Sequence, residues 1–203
     1  MTKNTRNLRG ATESRKFRPN EHIITALGNG AFDPVFENPL SRNGYAYPSI
    51  EFDYEEVRQL KFAAVFISHY HDDHCSLESL NLLDRSTPIY MYCVYDEMFE
   101  MIKALGFNKV IPLELNQLIK IEGFTVTPRM AVDADVDCVF QIEAAGLQIL
   151  NVVDSWIDEN TIEKLSKFAP WDMVLWPFQT MREIEVLSPH RFSKEPPAIP
   201  DRK

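Results

Sequence analysis

Runs of apolar residues mark the strands of this chain. Residues 63–67 are continuously apolar, as expected of a strand buried on both faces. Residues 88–93 read the same way. Between charged or glycine-bearing turns, residues 118–121 pair with 124–127 around Glu122-Gly123, and 138–142 with 147–153 around Gly146, as two hairpins. A last apolar strand covers 173–176.

Helical spacing alternates with these runs. Asp53-Tyr54-Glu55-Glu56 fits a capping box and predicts a short helix to about Leu60. Ser76 caps a helix through Leu83, and residues 96–105 form another, closed by Gly106 just past its end. Asp158 or Asn160 opens a helix to about Phe168. Nearer the start, an apolar stretch at 22–27 leads into Gly28-Asn29-Gly30, a turn, and residues 38–48 are loop-like. Residues 1–20 are basic and read as a flexible arm, residues 21–180 as the folded domain, and residues 181–203 as a polar, proline-rich tail. The mixture of hairpins with strand–helix alternation predicts an α+β domain of layered sheets covered by helices.

Composition narrows the function classes. A formal charge of −9 leaves no global basic field, so a general nucleic-acid binder is disfavoured. No apolar run reaches the ~18–20 residues of a membrane span. Cys75, Cys93 and Cys138 are an odd, irregularly spaced set, which implies reduced thiols and a cytoplasmic setting. Cys75 adjoins the segment discussed next; a small buried side chain is expected there, with a soft metal ligand or a reactive thiol as the alternatives.

The chemistry concentrates in Ser68-His69-Tyr70-His71-Asp72-Asp73-His74, which follows the strand at 63–67. Three of the five histidines fall in six residues, with aspartates between them. Imidazole and carboxylate together are the donors of zinc, iron and manganese sites. His69 and His71 are two apart, so an extended backbone turns both rings to one side. Asp73 and His74 follow one turn later.

This segment resembles the HxHxDH signature of the metallo-β-lactamase superfamily. The resemblance covers roughly residues 33–177. It implies an αββα four-layer sandwich, incomplete at its C-terminal end, holding one or two divalent metal ions, zinc first and iron or manganese as alternatives. His69 and His71 would bind the first metal and Asp73 and His74 the second. Asp33-Pro34 resembles an early element of the family at a strand end, a turn aspartate being the equal alternative. Asn151-Val152-Val153-Asp154-Ser155 resembles the strand that ends in a metal-bridging aspartate, with Val153 where glycine is usual; a helix cap is the alternative for Asp154.

The chain departs from the pattern in two places. No histidine stands between His74 and His190, so the third histidine of the first metal is missing. Asp133, with Asp135 second, is the carboxylate substitute, and a solvated acidic loop is the alternative. A carboxylate there would shift preference toward iron or manganese. His190 is the remaining candidate for the closing histidine, against an exposed tail residue.

The resemblance implies a hydrolase acting on a small ester, lactone or phosphodiester, with Asp73 as the catalytic carboxylate. Tyr70 would bind substrate or pack. A di-iron oxygenase or oxidase, or a degenerate non-catalytic member, are the alternatives. Trp171, Trp176 and Phe178 read as core near the last strand, with an exposed patch and a homodimer surface as the other reading.

Overall fold

The computed structural model describes residues 29–41, 51–132, 136–155 and 157–176. Residues 1–20 and 181–203, the expected arm and tail, lie outside them, as does the apolar stretch at 22–27.

Four short strands make the first sheet: β1 (Gly30–Phe32), β2 (Ala64–Ile67), β3 (Ile89–Met91) and β4 (Val110–Pro112), all parallel and in that order. Helices α1 (Tyr54–Gln59), α2 (Leu77–Leu80) and α3 (Asp96–Ala104) fall between them. Asp53 caps α1 by accepting from the amides of Glu55 and Glu56, and Ser76 caps α2 by accepting from Ser79. Gly106 takes a φ of 98° just past α3, which glycine adopts without a Cβ clash.

The second sheet orders β5 (Ile119–Ile121), β6 (Phe124–Met130), β7 (Cys138–Ala144), β8 (Leu147–Asn151) and β9 (Met173–Leu175). Its first four strands are antiparallel; β9 joins β8 in parallel after α4 (Glu159–Ser166). Ala145 and Gly146 both have positive φ in the two-residue turn of the β7–β8 hairpin. Asp158, rather than Asn160, caps α4.

The two sheets pack face to face between helical layers. Strand β2 explains its unbroken apolar run: Val65 and Ile67 join the core under α1–α3, while Ala64 and Phe66 join the core between the sheets. Phe66 is fully buried there, stacked on Phe32 and Tyr90 at 5.1 Å each and edge-on to Phe124 and Phe140. On the far side, Val139 and Leu150 pack against Leu165 of α4. The order helix, sheet, sheet, helix is the four-layer sandwich expected from sequence.

Four elements differ from expectation, among them α2, which ends at Leu80 and not at Leu83. Of the turn expected at 28–30, Asn29 takes φ 65° and Gly30 starts β1, while Gly28 lies outside the described residues. The Phe124 ring leaves no room at Gly30: a Cβ there would lie 2.6 Å from Cζ. Strand β4 went unread because it is three residues long and ends in Pro112, tolerable only at a sheet edge. Strand β6 continues through Pro128 to Met130. The Pro128 carbonyl faces Asn116, beyond the end of β5, so the missing N–H on that side faces no strand. Of the aromatics near the last strand, Trp171 packs under α4 but Trp176 is 57% exposed, so the core reading fails for Trp176; Phe178 lies outside the described residues.

Candidate metal centre

Parallel pairing brings the ends of β1 and β2 to one edge, which places Asp33 beside Ser68. The Ser68 amide donates to Asp33 Oδ1 at 2.7 Å and its hydroxyl donates to Asp33 Oδ2 at 2.7 Å. The chain then turns tightly, the His71 carbonyl accepting from the amides of His74 and Cys75. That turn returns Asp73 and His74 to the side occupied by His69 and His71. Asp154 arrives from the other sheet, just past β8, on a backbone set by Val153 at φ 61°. A β-branched residue rarely adopts that region. The Val153 amide donates to Asn151 Oδ1, which helps hold it.

The donors converge. One ligand atom each from His69, His74 and Asp154 lie within 4.8 Å of one another. Asp154 spans the two rings, with Oδ1 3.8 Å from His69 Nε2 and Oδ2 3.3 Å from His74 Nε2. His71 Nδ1 lies 3.0 Å from His69 Nε2, and Asp73 Oδ2 lies 3.7 Å from His74 Nε2. His69 is buried, Asp154 and His74 largely so, and Asp73 is the most open, with its side chain 39% exposed.

Hydrogen bonding fixes which nitrogen each ring offers. The Asp33 carboxylate only accepts, so the Ser68 hydroxyl gives it its proton and accepts in turn from His69 Nδ1 at 2.8 Å. His74 Nδ1 donates to Asp33 Oδ2 at 3.2 Å. Both rings therefore turn Nε2 toward Asp154. Sequence reasoning gave Ser68 no role; its place directly before the first histidine was the available signal.

The electrostatics follow from burial and neighbours. Burial, and after it the charge on His74, pushes the His69 imidazole down to about 4. Burial opposes charge on His74 too, but its bonds to Asp154 and Asp33 outweigh that and raise it to about 10. Burial likewise opposes ionisation of Asp154, yet the bond and charge of His74 hold its carboxyl below the usual range. The result is a His74 cation clamped between two carboxylates beside a neutral His69.

A divalent cation fits this donor set. The Asp154 Oδ1 atom is buried with no hydrogen-bond partner among the described residues, an arrangement that is costly unless another charge satisfies it. Imidazole nitrogens 3.0 Å apart can both reach one ion at ~2.0–2.1 Å.

Tyr70 sits 4.9 Å, centroid to centroid, from the His71 ring and packs against the core under α1–α3. Cys75 is buried and its thiol is pushed up to about 12 by burial, as expected of a small buried side chain and not of a reactive thiol. Asp133, Asp135 and His190 lie outside the described residues.

No protein-family model and no curated protein matches the chain. Among solved structures it is similar to a possible metal-dependent hydrolase from Veillonella parvula DSM 2008, with 18% identity and a TM-score of 0.52. It is similar also to an isothiocyanate hydrolase from Delia radicum gut bacteria, with 16% identity and a TM-score of 0.53. Each match covers 71% of this chain and 63% of the other, so the chain spans less than two thirds of their length. At such identities the likeness speaks for architecture and leaves substrate open. With its paired sheets, its helical outer layers and a histidine–aspartate turn at the end of β2, the chain has the metallo-β-lactamase fold.

Proposed function

We propose that this chain is a metal-dependent hydrolase of a small ester, lactone or phosphodiester. One observation carries the reading: the Asp154 carboxylate lies between His69 and His74, one oxygen toward each ring, with Oδ1 otherwise unsatisfied. His69 and His71 would hold one divalent cation, Asp73 and His74 a second, and Asp154 would span the two. Zinc suits these donors, and iron and manganese share them. When bound, such ions supply Lewis acidity toward a carbonyl or phosphoryl oxygen and lower the pKa of water from about 15.7 to about 7.

The chain supplies orientation and a proton path. Asp33 and Ser68 hold the His69 and His74 rings with Nε2 forward. Tyr70 packs edge-on to His71 and limits its rotation. Asp73 is open enough to accept a proton from the attacking water at a carboxylate oxygen and return it to the leaving group.

Elemental analysis of protein purified without added metal, followed by turnover of ester, lactone and phosphodiester panels, tests this. One or two zinc, iron or manganese ions per chain are expected, with hydrolysis of at least one class. Asp154→Asn should lose at least one ion and about 100-fold or more in turnover. An Asp73→Ala protein with full metal content and full turnover would overturn the role given to Asp73. Two irons with oxygen uptake and no hydrolysis would overturn the reaction.

A further inference from the structure

The rings of the metal centre do not stop at the histidines. Centroid distances run 4.3 Å from His74 to His69, 4.5 Å from His69 to His71, 4.9 Å from His71 to Tyr70 and 5.0 Å from Tyr70 to Tyr95. The last pair is edge-on at 89°. Tyr95 belongs to the loop between β3 and α3, and β3 runs parallel beside β2, so this loop opens on the same sheet edge as the histidine turn.

Helix capping does not call for an aromatic there. Tyr95 holds the N-cap position of α3, where Ser, Thr, Asp or Asn would accept from the first free amides, and its side chain makes no cap bond. It is 49% exposed, and its neighbour Val94 is 54% exposed. Two large apolar side chains in water forgo the stabilisation that burial gives. The loop is nevertheless pinned: the Cys93 sulfur accepts from the Tyr95 amide at 3.4 Å and its S–H donates to the Tyr95 carbonyl at 3.7 Å. Tyr70 supports the Tyr95 ring from below.

We infer that Tyr95, backed by Tyr70 and flanked by Val94, is a specificity-determining wall that receives an aromatic or planar apolar group of the substrate on the His71 side of the metal centre. This rests on the hydrolase reading for its reaction, though not for the binding preference. A ring laid against Tyr95 would bury the exposed face and gain offset or edge-on stacking. The polar reacting group would then lie toward Asp73, the open end of the donor cluster.

The test uses the zinc-loaded full chain and two pairs of probes that differ only by a phenyl ring. Methyl acetate and methyl phenylacetate are followed by pH-stat. Acetohydroxamate and phenylacetohydroxamate, which chelate zinc, are followed by calorimetry. Tyr95→Ala should raise KM for methyl phenylacetate and Kd for phenylacetohydroxamate about tenfold. It should leave kcat and the Kd of acetohydroxamate unchanged, and Tyr95→Phe should restore the preference. Equal losses for both members of a pair, or no change in either, would overturn the wall. A Tyr95-dependent preference for the phenyl hydroxamate without turnover of either ester would support the wall and count against ester hydrolysis.

Discussion

Asp33 holds the donor cluster from behind, directly through His74 and indirectly through Ser68. One of its oxygens takes the Ser68 hydroxyl and His74 Nδ1, and the other takes the Ser68 amide. Asp33→Asn puts an amide where two donors need an acceptor, so the ring positions loosen. Zinc affinity measured by chelator competition should fall about 10–100-fold, the usual loss for a ligand-orienting partner. The proton on His74 makes a second prediction. With a pKa raised to about 10, metal-free His74 is charged at neutral pH, and a cation can take Nε2 only by displacing a proton. Metal uptake at pH 7–8 in weak buffer should therefore release acid, and affinity should rise with pH up to about 10. For the metal-free fold the sign is opposite. The raised value stabilises fully below the ordinary histidine pKa of about 6.5 and is lost as pH climbs through about 10. Thermal melts of metal-free protein should fall across that window, and His74→Gln should flatten the slope.

Among the elements, β2 does most to position the centre, because it buries both faces and ends at the histidine turn. Phe66 is its anchor between the sheets. Phe66→Ala should cost about 3–5 kcal/mol in urea unfolding, with reduced metal retention following from the loosened strand end. What was legible beforehand follows from signal strength. The β2 run and the capped helices announced themselves locally, and so did the histidine segment, because its donors are contiguous. Strands β1 and β4 are three residues each, and one begins at a glycine whose reason lies in the ring of Phe124, 94 positions away. Ser68 and Tyr95 needed the strand order as well. Nothing in the sequence says that β1 lies beside β2, or that the loop after β3 opens on the same edge. Asp154 could be read from its place at the end of an apolar strand, but its position between His69 and His74 is a tertiary fact.

At the scale of the molecule, the donors belong to different sheets. Asp33 and the histidine turn come from the first, Asp154 from the second. A cation held by both would be a cross-link between the sheets. Metal at about a thousand times its Kd adds roughly 4 kcal/mol to stability. For a domain of this size that is on the order of 8–16 °C in melting temperature. EDTA should lower the melting point of wild-type protein by about that much and leave His69→Ala unmoved. No described helix is long and apolar enough to cross a membrane. The strand at the far edge, β9, leaves Met173 and Val174 about half exposed, although they point to opposite faces.

Val153 bears on how fast the centre fills. Its left-handed backbone costs on the order of 1–2 kcal/mol before any ion arrives, and that outlay has already fixed the direction of the next side chain. For Asp154, capture then needs no reordering of the turn that carries it. It should run as a simple second-order encounter with no lag, and backbone amide resonances of the empty and filled forms should nearly coincide outside the histidine turn.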